Sequence, residues 1–160
     1  MKFKPTYDKN GKQRVIFEGE DGWEYFIYND RTGYTIREMT KDDIPNWYDA
    51  LNIRMRVPEA LKPLKLAQVD TRLEQQQKEE VQGRTLLIFN PKNEIVGELQ
   101  FEPDIERIAV ARVWITLSNM ALVKTKGVKI VKMLERMIKT TGYYDEVWAV
   151  NATDQLTKIV

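Results

Sequence analysis

Histidine and cysteine are both absent from the 160 residues, and this removes most catalytic constellations at once. There can be no Ser-His-Asp or Cys-His nucleophile system, no thiolate or imidazole metal site and no disulfide. Proton transfer must run through Asp, Glu, Tyr, Lys, a terminus or water. A carboxylate-only metal site is open in principle, but no spaced Asp/Asn cluster of the calcium-loop kind occurs. One stretch has a chemical use of its own. Ser118 to Lys126 reads as a loop, followed by Gly127 and an amphipathic helix pattern to Thr140. Free backbone N–H groups and the helix dipole at such an N-terminus favour an anion. Lys124, Lys126, Lys129 and Lys132 make the locality basic. A second reading is available. Lys129, Lys132, Arg136 and Lys139 have the spacing of a solvated stripe, with Ile130, Val131, Leu134, Met137 and Ile138 buried.

The elements that position this loop can be read on both sides of it. Ala109 to Leu117 is a strand pattern, and Glu146 to Val150 is a second one. Strand, loop, helix, strand predicts a βαβ crossover. Both faces of the first strand are largely apolar, interrupted by Arg112, as expected of a central strand covered by helices on both sides. Upstream, Thr85 to Asn90 and Glu94 to Phe101 form a strand pair, and Gly97 within it suggests a bulge or a close backbone approach. Tyr34 to Met39 is another strand. It leads into a helix that Thr40 can cap, with Asp43 three residues on and Ile44, Trp47, Tyr48 and Leu51 facing the core. A second helix is expected from about Leu64 to Gln82, with Leu66, Val69, Leu73, Gln77 and Val81 as its thin apolar stripe. The polar run Glu74 to Glu80 predicts an exposed surface. Residues 1–33 carry turns at Asn10-Gly11, Asp21-Gly22 and Thr32-Gly33, which predicts an antiparallel β-meander. Ala152 to Val160 reads as the beginning of a last helix. The fold class is therefore α/β, a mixed central sheet with helices on both faces, preceded by the N-terminal meander.

Hydrophobic content of 42% and charged content of 31% describe an ordinary soluble domain. A net charge of +1 gives no global pull toward nucleic acid or membrane. No apolar run approaches the roughly 18 residues of a membrane helix, and the N-terminus has no signal-peptide core, so the expected location is cytoplasmic.

The order of elements over residues 34–160 resembles the GNAT superfamily of acyl-CoA-dependent N-acetyltransferases, with residues 1–33 as an extension. Tyr34 to Asp43 is similar to that family's first strand and helix entry, and Ile95-Val96-Gly97-Glu98-Leu99 to its third strand. Leu122 to Lys129 occupies the place of its pyrophosphate loop, whose motif is Arg or Gln, two residues, Gly, one residue, then Gly or Ala. Lys124 stands at the first position, Gly127 matches the first glycine, and Lys129 replaces the second small residue, where it could crowd the phosphate or swing outward. Asn151 matches the Asn that follows the family's fifth strand, and Gln155 to Val160 resembles the next helix. The family's last two strands and its usual tyrosine general acid have no counterpart here. A sheet edge left open by their loss would need covering, by the meander or by a second subunit.

The resemblance implies an acetyl transfer from acetyl-CoA to an amine of a small molecule or protein. It places the pyrophosphate on Lys124, Thr125, Lys126, Gly127, Val128 and Lys129, with Asn151 also on the coenzyme. It places the thioester carbonyl against a backbone amide of Ile115, Thr116 or Leu117. Base candidates are Glu98, Glu102 and Asp104, on or near strands that line the family's cleft. Ser118 and Asn119 are polar groups available to coenzyme or substrate. The acceptor pocket falls partly on residues 54–66. The departures motivate a second reading, a GNAT-like protein without catalysis that acts through a homodimer or partner interface. Nucleic-acid binding through the lysine-rich helix is the weaker alternative, because its basic residues are not interleaved with aromatics.

Overall fold

The computed structural model describes residues 1–53, 62–78, 83–104, 106–117, 125–150 and 156–160, apart from the side chains of 51–53, 62–65 and 125–128. Four strands come first: β1 (Phe3–Tyr7), β2 (Gln13–Gly19), β3 (Glu24–Asn29) and β4 (Thr35–Glu38). A 3-10 turn, Lys41–Asp43, opens α1 (Ile44–Ile53), and α2 (Lys62–Gln77) follows. Then come β5 (Arg84–Phe89), β6 (Ile95–Pro103), β7 (Val110–Leu117), α3 (Thr125–Thr141), β8 (Glu146–Val150) and β9 (Leu156–Lys158). All nine strands form one sheet in chain order. Every neighbouring pair is antiparallel except β7 and β8, the two strands joined through α3.

The meander is built by its turns. Asp8 accepts hydrogen bonds from the backbone of Asn10 (2.9 Å) and Lys12 (3.0 Å), and Gly11 takes the positive φ of 80° that the tight turn needs. The helix entry at Thr40 is also built locally. The Asp43 carboxylate accepts the Thr40 N–H at 2.8 Å and the Thr40 hydroxyl at 3.1 Å, and both arms of Arg37 hold it at 2.7 Å.

Two apolar clusters sit on opposite faces of the sheet. On one, α3 places Ile130, Met133, Leu134, Met137 and Ile138 against Ile36, Leu86, Ile88, Leu99, Ala111, Val113 and Val147. On the other, α1 and α2 place Trp47, Ala50, Val69 and Leu73 against Met39, Leu87, Phe89 and Ile95. Burying such side chains contributes about 1.5–3 kcal/mol each, so the helices are held by these faces rather than by intrinsic propensity.

Four local expectations are corrected. Residues 156–158 form β9, antiparallel to β8, instead of starting a helix; cross-strand pairing outweighs a short ambiguous pattern. Val131 is 43% exposed and Met133 takes the buried place, a rotation of the helix stripe by one ridge. Leu66 is 40% exposed, while Gln76, in the run expected to be solvated, is buried. Its amide accepts from the Thr85 N–H at 3.1 Å and donates to the Thr85 hydroxyl at 3.0 Å, so its polar atoms are satisfied inside. Finally, the meander extends the β4 edge and lies far from β8 and β9, so it does not cover their side of the sheet. Leu51, Val81 and the proline-flanked segment 54–61 concern side chains or residues outside those described.

The meander is tied to α3 by one ion pair. Arg136 donates from Nε to Asp30 Oδ1 (3.0 Å) and from Nη2 to Oδ2 (2.8 Å), and the Asp30 side chain is almost fully covered. Burial raises the Asp30 carboxyl pKa, but the bonds from Arg136, Thr32 and Tyr28 outweigh it and hold the group well below its ordinary 3.8. A depressed carboxylate stabilises the fold above its unfolded pKa and loses that contribution as pH falls. The urea midpoint should therefore decline as the pH drops from about 5 toward 2, and Arg136→Ala should lower it at pH 7 and flatten that decline. An unchanged acid profile in Arg136→Ala would show that the pair does not anchor the meander.

Candidate functional site

β6 alternates in character along its length. Gly97, Leu99 and Phe101 face α3, and Glu98, Gln100 and Glu102 face the other way. At the margin of the apolar cluster under α1 and α2, that second face is polar. A cavity of about 310 Å³ lies there, lined by Glu98, Gln100, Glu102, Trp114 and Thr116. Its β7 wall is open to solvent: Trp114 is 36% exposed, and Arg112 beside it is exposed too. The expectation that helices cover both faces of β7 holds only for the α3 side.

Glu98 is directly opposite Thr116 in the β6–β7 ladder. It is 2% exposed, Gln100 Nε2 donates to its Oε1 at 3.3 Å, and Arg72 Nη2 lies 3.8 Å from the same oxygen. Glu102 is exposed at the far end of the row. Asp104 is engaged elsewhere. It accepts the Glu106 and Arg107 backbone N–H groups at 2.9 and 3.1 Å and stands within ion-pair distance of Arg107 and Arg112. Those bonds, led by the Glu106 N–H, hold its carboxyl below the ordinary range, which makes it a weak base.

The pairing of β7 changes along the strand. It runs antiparallel to β6 from Ala111 through Leu117 and, among the described residues, parallel to β8 from Val110 through Trp114. Gly97 is required here for both expected reasons. The register shifts between Ile88 and Phe89, and a Cβ on Gly97 would lie 2.9 Å from Leu117 Cδ2 and 3.1 Å from the Thr116 carbonyl oxygen.

α3 begins at Thr125, so Thr125, Lys126, Gly127 and Val128 form its first turn and not a preceding loop. Lys129 is exposed, as are Lys132 and Lys139, whereas Arg136 is drawn to Asp30. Lys124, Ser118, Asn119 and Asn151 lie outside the described residues. The structure thus brings together Glu98, Glu102 and Thr116, with Ile115 and Leu117 flanking. Gln100, Trp114 and Arg72 were not anticipated. The period-two row Glu98, Gln100, Glu102 within a strand was the available signal for Gln100. Among the described residues there is no cluster of three or more Asp or Glu suited to a metal, and no helix long and apolar enough to cross a membrane.

Parallel β7–α3–β8 beside a polar cavity, on a mixed sheet with helices on both faces, is the architecture of the GNAT acetyltransferases. Solved structures carry the comparison. The ribosomal-protein α-N-acetyltransferase RimL with coenzyme A bound matches with a TM-score of 0.57 and 15% identity over 77% of this chain and 73% of its own. Spermidine N-acetyltransferase from Vibrio cholerae, in complex with CoA and spermine, matches with 0.53 and 9% over 74% and 71%. A putative GNAT-family acetyltransferase from Desulfovibrio desulfuricans matches with 0.51 and 10% over 72% and 71%. At these identities the likeness establishes the fold. No protein-family model and no curated protein matches the sequence.

Gly97→Val should displace the end of β7 and cost about 1–3 kcal/mol of stability, as over-packing does. Chemical denaturation measures the cost. Amide NMR shifts at Ile115 to Leu117 should move more than those at Ala111 and Val113; an even spread would refute the local wedge.

Proposed function

We propose that the chain is an acetyl-CoA-dependent N-acetyltransferase acting on an amine of a small molecule or protein. The observation that carries this reading is the pair that faces one polar cavity: Thr116, near the end of β7, sits across from the buried Glu98. RimL and the Vibrio cholerae spermidine enzyme, both solved with coenzyme A, are similar in fold.

Acetyl-CoA, the co-substrate, supplies an activated acyl group. The backbone of Ile115 to Leu117 is the part of β7 suited to receive its carbonyl, a role that does not depend on side-chain identity. The first turn of α3, from Thr125 through Val128, and the exposed Lys129 suit its pyrophosphate, with Lys124 and Asn151 as further contacts. Glu98 takes the proton from the attacking amine, directly or through one water. The amide C–N bond forms as the thioester C–S bond breaks, and coenzyme A leaves as the thiol, protonated from solvent, while Glu102 at the open end attracts a cationic acceptor. Trp114 offers an aromatic face to the same cation.

Acetyl-CoA at about 1 mM should raise the melting temperature, since a ligand well above its Kd stabilises the native state. Glu98→Gln should lower kcat/KM for an amine acceptor by about 100-fold or more while coenzyme affinity stays within about twofold. No stabilisation by millimolar coenzyme would sink the proposal. Binding without turnover across a broad amine panel would instead favour a GNAT-like protein that has kept the coenzyme site and lost catalysis.

A further inference from the structure

A second cavity lies on the α3 face, where the C-terminal end of α3 meets the start of β5. It has a volume of about 290 Å³. Phe26, Leu86, Phe101, Met137 and Ile138 make its buried apolar wall, and Ile16, Thr141, Tyr143 and Tyr144 surround its more exposed rim. Two charged side chains line this apolar space, Glu38 and Arg84. They come from neighbouring strands. Glu38 is paired with Leu86, so Arg84, two residues earlier, is its diagonal neighbour on the same sheet face, with backbone positions about 7–8 Å apart.

The two charges are held without being joined to each other among the described residues. Glu38 is 8% exposed and accepts from the Phe26 N–H and from Gln77 Nε2, both at 3.3 Å. Arg84 Nη1 donates to the carbonyls of Gln76 (2.6 Å) and Gly83 (3.3 Å). The contacts to Glu38 are long, and a carboxylate has about four acceptor positions, so Glu38 retains capacity for a further donor. Arg84 likewise has five N–H donors in total.

Charge decides which ligand fits. An amine alone would bring a second cation near Arg84. A carboxylate alone would bring a second anion near Glu38. A hydrocarbon would strip water from both charges and give nothing back. A zwitterion answers both at once, because it carries an ammonium and a carboxylate on the same carbon. The volume sits at the lower end of ligand pockets, too small for a nucleotide cofactor and suited to a molecule of amino-acid size.

We infer that this cavity binds a free apolar α-amino acid, its side chain among Phe26, Leu86, Phe101 and Met137, its ammonium at Glu38 and its carboxylate toward Arg84. Burial pushes the Glu38 carboxyl up to about 7 despite the opposing effects of Arg84 and the Phe26 N–H. An arriving ammonium supplies the missing countercharge and favours the ionised carboxylate. The site lies on the opposite face of the sheet from Glu98 and Thr116, so it is separate from the proposed acceptor cavity.

The test uses the full chain with L-phenylalanine, L-leucine and L-methionine, set against phenethylamine and 3-phenylpropionate. Calorimetry should give saturable binding of at least one amino acid, at least about tenfold tighter than either half-molecule. Methyl NMR should place the perturbation at Leu86, Met137 and Ile138. Glu38→Gln should weaken binding by about tenfold or more, and Ile16→Trp, at the rim, should block it without touching either charge. No saturable binding up to about 10 mM by the folded protein would overturn the inference. So would equal binding of a half-molecule, or perturbations confined to the Thr116 methyl and the Trp114 ring, which would locate the amino acid at the acceptor cavity.

Discussion

β7 pairs antiparallel with β6 on one side and parallel with β8 on the other, and α3 joins β7 to β8. Much of the molecule depends on this crossover. Over the paired part, α3 packs Ala111, Val113 and Val147 out of contact with water, and the crossover is locked. Toward the end of β7 the β6 ladder holds Thr116 opposite Glu98, so the register of the sheet sets which groups meet at the polar cavity.

The two faces of the sheet differ because their helices differ in extent. α3 shares one apolar cluster with residues of β4 through β8. α1 and α2 cover β4, β5 and the beginning of β6, where Leu87, Phe89 and Ile95 meet Trp47, Val69 and Leu73. At the margin of that cover the outward positions change from aliphatic to Glu98, Gln100 and Glu102. Glu98 occupies the border itself. It is shielded from bulk water, yet it lines a cavity whose other side is Trp114 and Thr116. Such a border is where a carboxylate can be both oriented and approached. Gly97 makes the border tight by letting β7 lie close beside it.

Local chemistry made most of the fold legible. The three meander turns announced themselves by glycine after Asn, Asp or Thr, the capping contact by Thr40 and Asp43, and the crossover by a change from period-two to helical spacing. What stayed hidden depends on partners distant in sequence. β9 is a strand only because β8 offers it an edge. Gln76 is buried only because Thr85 completes its amide. Arg136 looked like one more solvated charge until Asp30, 106 residues away, claimed it. The exchange of Val131 for Met133 has the same origin. Both fit an apolar stripe, and only contact with the sheet decides the rotation. In the candidate site, Glu98 and Thr116 were readable, one as a carboxylate on a strand and the other as a strand-end residue. That they face each other is a fact of register, and no local pattern contains it.

The two buried glutamates are instructive when compared. Glu38, with its carboxyl pushed up to about 7, has the proton affinity usually sought in a general base at neutral pH. Geometry disqualifies it. Glu38, Leu86 and Leu99 share the α3 face, whereas Thr116 and the polar cavity belong to the other. A proton acceptor must first be within reach of the proton, and only then does its affinity matter. The raised value also carries a cost. A carboxyl whose pKa is higher folded than unfolded favours the native state below about 4.5 and loses that contribution as pH rises through about 7. At neutral pH Glu38 is thus a strained resident of an apolar wall, with Arg84 only partly compensating. Leucine or methionine at this position would remove that strain and leave Phe26 and Gln77 without their acceptor. The carboxylate is consistent with a binding role on its own face of the sheet, and the chemistry on the other face falls to Glu98.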